Sequence, residues 1–350
     1  MNRCTLYQQK MKREGQMAGF PKLRLISVIA MTVVALGLAS GPVGAQSKGS
    51  MHVAFGDTPD PEMLNFLAAV ARAGERGVDV KVSYLNSEDI AAQAVVSGQA
   101  DIGVGTPYAL IQKVKAPIRM FYQLAQMRFF PIVNTEKYKD WKDLDGEPIT
   151  VHSRGSGTEA IMAWMASVHG ITYESVSYVP GSSVRAGAML QGTIDVTVVD
   201  AERKRLLMEK GEGKFAILPL PEMEASDEAL FANINWLQEQ QEAVDILMEE
   251  MIKVWREVNA DPSVIVAMRE QYNLLPDLPQ EDVDDIDPAF TEGVEAGMYS
   301  DNGGGIDSVK QDFEFFTGSG SLEGKAADLK VEDFWYLDPL NRALDKLGHM

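Results

Sequence analysis

A regular alternation of predicted strands and helices, repeated twice, constrains the fold of this chain more than any other feature. Apolar runs of strand length alternate with helix-period stretches from residue 51 to residue 218. Residues 96–104 (VSGQADIGV) and 190–198 (LQGTIDVTV) share a helix end, a stopping glycine and an apolar strand headed by aspartate. This order predicts an α/β fold with two lobes of similar build, each a mostly parallel sheet flanked by helices.

The individual elements follow from periodicity and from turn residues. The predicted strands cover residues 51–55, 78–84, 100–104, 118–126, 130–134, 148–152, 176–179, 194–199, 214–218 and 230–236. The predicted helices include residues 158–169, 184–191, 202–210, 240–260, 262–272, 306–316 and 331–347. Residues 277–288 are predicted to form an acidic, solvated surface stretch.

The helical periodicity after residue 229 predicts a chain that returns to finish its first lobe. We expect the first lobe to comprise residues 46–127 plus 229–350, with an added C-terminal helical block. The second lobe is then residues 128–228.

The N-terminal segment has the pattern of a cleaved signal peptide. Six basic residues precede the uncharged apolar run Leu25–Ala39, and small residues follow it up to Ala45. The run is short for a membrane span, which needs about 20 residues. We expect residues 1–45 to be removed and the chain to be periplasmic, with translation beginning at Met1, Met11 or Met17.

Composition excludes several classes of function. Lys+Arg 32 against Asp+Glu 51 gives a formal net charge of −19, and phosphate binding needs a basic surface, so no nucleic-acid partner is expected. Cys4, the only cysteine, lies in the leader, and the chain has four histidines, so neither a metal site nor a cofactor is expected. No nucleophile elbow or acid/base motif is recognisable, and we expect no enzymatic activity.

Three sequence motifs together resemble a known family. WKDLDG at residues 141–146 leads into a strand and then into Gly155-Ser156-Gly157-Thr158; PGSS at residues 180–183 precedes a helix; Asp338-Pro339-Leu340 opens the last helix. In this order they resemble the nitrate, sulfonate, taurine and thiamine-precursor group of periplasmic solute-binding proteins. That resemblance implies a two-lobed, type II periplasmic-binding fold that serves an ABC importer.

Two relatives of this group are also considered. The TAXI-type receptors of TRAP transporters share the strand–GSG–helix signature and remain an alternative. The eukaryotic thiamine-pyrimidine synthases of this superfamily depend on a cysteine-rich segment. This sequence has no such segment, which argues against a synthase of that type.

Loops that follow predicted strands supply the candidate ligand-binding residues, because ligands of open α/β sheets lie beyond the carboxyl ends of the strands. Glycines allow close backbone approach, helix N-termini favour anions, and Arg154 offers a planar cationic fork. Helix capping alone would also account for the serines, the threonines and Asp200. The candidates are Asp57, Thr58, Thr106, Tyr108, Gln126, Arg154, Gly155, Ser156, Gly157, Thr158, Ser182, Ser183 and Asp200.

These observations predict a non-catalytic, monomeric receptor. It would capture a small organic, anionic solute, such as a sulfonate or a carboxylate, between its lobes and deliver it to an inner-membrane ABC permease. The alternatives are a receptor for TRAP membrane subunits and an exported enzyme on the same fold. The identity of the solute does not follow from the sequence.

Overall fold

The computed structural model describes residues 47–221 and 223–350. None of the helices formed by these residues is both long enough and apolar enough to cross a membrane. The predicted leader and its cleavage after Ala45 lie outside the described residues.

The described chain contains ten strands and twelve α-helices. The strands are β1 Gly49–Phe55, β2 Val78–Tyr84, β3 Ile102–Gly105, β4 Ile118–Gln126, β5 Phe130–Asn134, β6 Pro148–Val151, β7 Ser175–Tyr178, β8 Val196–Val199, β9 Phe215–Ile217 and β10 Ser226–Asn233. The helices are α1 Leu64–Glu75, α2 Glu88–Val96, α3 Tyr108–Val114, α4 Gly157–His169, α5 Ser182–Leu190, α6 Ala201–Lys210, α7 Ile234–Glu239, α8 Gln241–Ala260, α9 Val264–Tyr272, α10 Gln280–Glu295, α11 Ile306–Gly318 and α12 Asp338–Leu347.

The strands form two five-stranded sheets with the same topology. The first sheet has the order β2-β1-β3-β10-β4 and the second has the order β7-β6-β8-β5-β9. In each sheet four strands run in one direction, and the remaining strand, β10 or β5, is antiparallel to both of its neighbours. The predicted pair of similar, mostly parallel sheets is therefore confirmed, and the two segments of the internal repeat lead into equivalent strands, β3 and β8.

The antiparallel strands, β5 and β10, are the first strands that the chain forms after it passes from one sheet to the other. The chain leaves the first sheet after β4 and enters the second as β5, and it leaves the second after β9 and returns as β10. The two connections touch, since the Met127 N–H donates to the Ala225 carbonyl oxygen at 2.8 Å. We refer to each sheet with the helices packed on it as a lobe. The predicted lobe boundaries at residues 128 and 228 stay a prediction.

The first lobe has the larger apolar core. Helices α1 and α8 bury their apolar faces against this sheet, and Trp255 of α8 is fully buried and donates its indole N–H to the Leu124 carbonyl oxygen at 2.8 Å. Apolar packing continues toward the second lobe, where Trp164 of α4 meets Phe315 of α11 with ring centroids 5.6 Å apart.

Three sequence predictions differ from the structure. Residues 277–288, over which the sequence predicts no helix, mostly belong to α10, which has Pro288 inside it; Asp277, Glu281, Asp284 and Asp287 are exposed, as expected for a surface stretch. The single helix expected over residues 331–347 is a 3-10 turn at Val331–Asp333 followed by α12. The strand expected over residues 230–236 begins earlier, at Ser226, and ends at Asn233, where α7 begins.

Helix α10 is held by ion pairs with α6 of the second lobe. Lys204 and Arg205 both contact Glu292, with the Lys204 Nζ atom 2.7 Å from the carboxylate, and Arg203 contacts Asp282 at 3.0 Å. The acidic face of α10 thus has a basic counterpart, and the two helices link the lobes electrostatically.

Candidate functional site

A cavity lies between the two sheets at the carboxyl ends of their parallel strands. The space between its walls is about 720 Å³ with the open solvent at its mouth included. The loops after β1, β6, β7 and β8 form its wall, together with the starts of α2 and β10. This position makes the cavity the candidate binding site.

Eight of the thirteen predicted ligand-binding residues line this cavity. They come from both lobes and are Asp57, Thr58, Ser156, Gly157, Thr158, Ser182, Ser183 and Asp200. The structure therefore brings together segments of four separate loops.

The loop after β1 depends on a glycine. A Cβ atom built on Gly56 would lie 2.4 Å from the backbone N of Glu88, a distance that no side chain tolerates. Gly56 lets the loop lie against the start of α2, which places Glu88 beside Asp57 in the cavity wall.

The hydroxyl groups at the start of α4 serve the helix itself. Ser156 is the N-cap: its Oγ accepts from the Glu159 N–H at 3.4 Å and donates to the Ser153 carbonyl oxygen at 2.8 Å. The Oγ1 of Thr158 accepts from the His152 N–H at 3.0 Å. Both side chains are buried at the cavity wall, so they shape it and offer little unused donor capacity.

Arg154 and Gly155 do not line the cavity. The Arg154 guanidinium lies over the ring of Tyr178, 4.9 Å from its centroid, and the side chain is exposed. The Gly155 N–H donates to Glu159 Oε2 at 2.6 Å. The positive φ of Gly155, 82°, turns this part of the loop outward, away from the helix start.

Thr106, Tyr108 and Gln126 are also absent from the cavity wall. Tyr108 is fully buried; its hydroxyl donates to Asp312 Oδ2 at 2.6 Å and accepts from the Trp335 indole N–H at 2.7 Å. Thr106 is buried behind Glu88, and Gln126 ends β4 at the connection between the sheets. The prediction that Tyr108 stacks on a ligand is replaced by a role in the core.

The start of α5 and the start of α6 are joined at the cavity. The Asp200 N–H donates to Ser182 Oγ at 3.1 Å, and Asp200 Oδ1 accepts from the Arg203 N–H at 2.7 Å. Asp200 is thus the N-cap of α6, and Ser182 orients it from the neighbouring loop.

Sequence reasoning missed most of the carboxylates in the wall. The cavity is lined by seven of them, and five were not among the predicted site residues: Asp60, Glu62, Glu88, Asp227 and Glu228. Position relative to a strand end could have indicated Glu88, because it lies at the start of α2 after β2. Asp227 and Glu228 reach the cavity on β10, which returns from the second lobe, and no local pattern marks them.

Burial, and after it mutual repulsion, raises the pKa of several of these carboxylates. Burial, followed by repulsion from Asp200, raises the pKa of Asp60 to about 7. Burial and the nearby Asp227 raise the pKa of Glu88 to about 8, and burial and Asp200 raise that of Asp227 to about 7. The unliganded cavity therefore holds protons near neutral pH.

Two basic residues line the cavity as well. The guanidinium of Arg185 donates to the carbonyl oxygens of Val198 and Val179, at 2.9–3.1 Å, and burial lowers its pKa to about 10. His152 joins the lobes: its Nδ1 accepts from the Gly181 N–H, its Nε2 lies 3.2 Å from the Gly56 carbonyl oxygen, and burial lowers its pKa. Accepting at Nδ1 favours a neutral ring with the proton on Nε2, and Asp57 Oδ2 lies 3.6 Å from the same Nδ1.

Two sheets of one topology, joined by two connections around a cavity, define the class of two-lobed periplasmic-binding folds. The chain belongs to the NMT1/THI5-like family, whose model matches residues 74–265, more than half of the chain. This match confirms the resemblance predicted from the three motifs. No curated protein matches the chain.

Solved structures share the fold. A protein from Bordetella bronchiseptica RB50 is 17% identical with a TM-score of 0.69, over 86% of this chain and 98% of that one. The ligand-binding component of an ABC-type import system from Staphylococcus aureus, solved with zinc bound, is 12% identical with a TM-score of 0.64, over 85% and 99%. The periplasmic nitrate-binding protein NrtA from Synechocystis PCC 6803 is 15% identical with a TM-score of 0.62, over 85% and 89%. At these identities the likeness establishes the predicted fold.

Proposed function

We propose that this protein is a periplasmic receptor that captures a small solute between its lobes and delivers it to the permease of an ABC importer. The observation that carries the proposal is the cavity itself, which is lined from both sheets, and the connections between those sheets touch at Met127 and Ala225. Binding in such a cavity couples capture to the relative position of the lobes, which a permease can recognise.

The family and the shared fold support this proposal and an extracytoplasmic location. In this proposal the protein acts as a monomer, and its partners are the solute and the membrane permease. A TRAP-type membrane partner would use the same cavity and differs only in the protein that receives the solute.

Two features of the cavity wall favour opposite signs for the charge of the solute. The sequence predicts a sulfonate, a carboxylate or a related anion, and the N-termini of α4 and α5 in the cavity wall support that choice. The seven carboxylates of the wall oppose it, because each one that ionises repels an anion at short range in a partly buried site. A ligand screen must therefore include solutes of both signs.

Gly157 offers a test of the site that does not depend on the solute. A Cβ atom there would lie 3.0 Å from Met127 Cε and 3.5 Å from Asp227 Oδ1, so a leucine at this position would project into the space between the lobes. Gly187, a helical glycine of the same lobe, has no atom within 4 Å of its Cβ position. It provides a matched control.

The experiment is a calorimetric titration of the protein with amines, sulfonates, carboxylates, nitrate and pyrimidines. We expect saturable binding of at least one class, loss of that binding in Gly157→Leu and its retention in Gly187→Leu. Binding that survives Gly157→Leu would place the ligand elsewhere and contradict the proposal. The absence of saturable binding across all five classes would contradict it too.

A further inference from the structure

The charge of the cavity wall points to the class of solute. Carboxylates reach the wall from three directions: Asp57, Asp60 and Glu62 follow β1, Glu88 starts α2, and Asp227 and Glu228 are the second and third residues of β10. Asp200 faces them from the second lobe. Arg185 is the one lysine or arginine among the described residues that line the cavity.

The basic groups of the cavity are already engaged. Arg185 is 1% exposed, and its Nε and both terminal nitrogens donate to backbone carbonyl oxygens, so its position is fixed within the second lobe. His152 is engaged by the Gly181 N–H, by the Gly56 carbonyl oxygen and by Asp57, whose Oδ2 lies 3.6 Å from its Nδ1, and burial lowers its pKa. Arg203 lies behind Asp200 and is paired with Glu202 at 2.7 Å and with Asp282 at 3.0 Å. None of these groups extends into the cavity as a free cationic side chain.

Carboxylates of the protein also face the helix N-termini that would attract an anion. Asp227 Oδ1 lies 3.5 Å from the Cβ position of Gly157, the first residue of α4. Asp57 Oδ1 lies 3.8 Å from the Cβ position of Gly181, the N-cap of α5, and Asp200 caps α6. An anionic solute would compete with these carboxylates for the same positive helix ends.

We propose that the cavity binds a small organic solute with a positively charged nitrogen that carries N–H groups, held by Asp227, Glu228 and Glu88. This inference rests on the proposed receptor function and names its substrate class. Carboxylates accept hydrogen bonds from an ammonium or amidinium group, and such charge-assisted bonds are about twice as strong as neutral ones.

Two other classes of cation fit less well. Quaternary ammonium groups are bound by cages of aromatic rings, whereas Phe129 is the one aromatic side chain among the described residues of the wall. A bare metal ion needs converging ligands, and the described residues contain no group of three or more acidic, histidine or cysteine side chains placed to hold one.

Ligand capture is then linked to proton release. The raised pKa values of Asp60, Glu88 and Asp227, together with that of Glu228, which burial also raises, leave protons in the empty cavity at neutral pH. A bound cation stabilises the ionised carboxylates and displaces those protons. Affinity for the cation therefore rises between pH 6 and pH 8 while the solute keeps its charge.

The test compares solutes that share a carbon skeleton and differ in charge. The protein is titrated calorimetrically with butylamine, putrescine and agmatine, and separately with butyrate and butanesulfonate. We expect saturable binding of at least one amine, no binding of either anion, and a loss of about tenfold or more in affinity for Asp227→Asn. Asp79→Asn, on the exposed face of β2, is the control and keeps full affinity.

The outcomes separate this inference from the proposed function. Saturable binding of an anion that is lost in Gly157→Leu would leave the receptor function standing and overturn the charge assignment. Amine binding that Asp227→Asn and Gly157→Leu both leave unchanged would show attraction to the acidic surface and also overturn it. If none of these amines binds while another class does, the charge assignment is wrong. If nothing binds, both proposals fail.

Discussion

Replacing Asp227 by asparagine should make the unliganded protein more stable while making it a poorer receptor. The side chain keeps its shape and loses the charge that its neighbours repel. The pKa of Asp227 is raised from 3.8 to about 7, first by burial and then by Asp200 and Asp57. At ~1.4 kcal/mol per unit, this sets an upper bound of about 4 kcal/mol on the cost of ionising it in the folded state.

The gain expected from the substitution is smaller than this bound. The carboxylates share their repulsion, so that removing one of them lets the others ionise more easily. We expect a gain of about 1–2 kcal/mol in the free energy of unfolding at pH 8, or roughly 2–3 °C in Tm. A carboxyl group whose pKa is raised in the folded state contributes its full stabilisation to the fold below its unfolded-state pKa. That contribution is lost as the pH rises through its folded-state pKa. The gain should therefore appear between pH 4 and about pH 7 and stay level above.

The assay is chemical denaturation of Asp227→Asn and of wild type at pH 4.5 and pH 8, without added solute. The control is Asp79→Asn on β2, which should change stability little at either pH. Three results would contradict this expectation: no gain in the free energy of unfolding at pH 8, a loss at pH 8, or the same gain at both pH values. Any of them would mean that the carboxylates of the empty cavity do not repel one another as their positions imply.

Three further variants test the placement of other residues. Tyr108→Phe removes a buried hydroxyl from Asp312 and should cost about 1–3 kcal/mol of unfolding free energy in a denaturant titration, with solute affinity unchanged because the ring does not line the cavity. Arg154→Ala should also leave solute affinity unchanged in calorimetry, since the guanidinium lies over a tyrosine ring outside the cavity; a large loss would restore the sequence-based assignment. Glu292→Gln should cost about 0.5–1 kcal/mol through its pairs with Lys204 and Arg205, and the cost should shrink in 1 M salt; an equal cost at both salt concentrations would argue against an ionic origin.

The sequence predicted the lobes well because their signals are local. Strands β2, β4 and β5 have the boundaries expected from apolar runs and turn residues. The internal repeat at residues 96–104 and 190–198 correctly indicated equivalent strands, β3 and β8. Such features depend on neighbours in the chain, which a single sequence shows directly.

Helix α10 escaped prediction because its stabilising partners are distant in sequence. Pro288 and the density of carboxylates argue locally against a helix. The opposing charges come from Lys204 and Arg205 on α6, in the other lobe. Only the folded arrangement of the two lobes makes an acidic, proline-containing segment a favourable helix.

The site was predicted only in part, because some of its residues come from segments that are distant in sequence. Loops after strands are visible in a sequence, and most of those named do line the cavity. The direction in which a side chain points is not visible, so Arg154 was expected inside and lies outside. The carboxylates on β10 come from a strand that follows the second connection between the sheets, and without them the sequence indicates an anion.

The most direct test of the account counts the protons that move when a solute binds. Calorimetric titration with the best-bound amine at pH 7, repeated in two buffers of different ionisation enthalpy, gives that number. We expect release of protons to the buffer, because a cation replaces protons held by Glu88, Asp227 and their neighbours. Saturable amine binding in the cavity with no proton release, or saturable binding of anions alone, would contradict it.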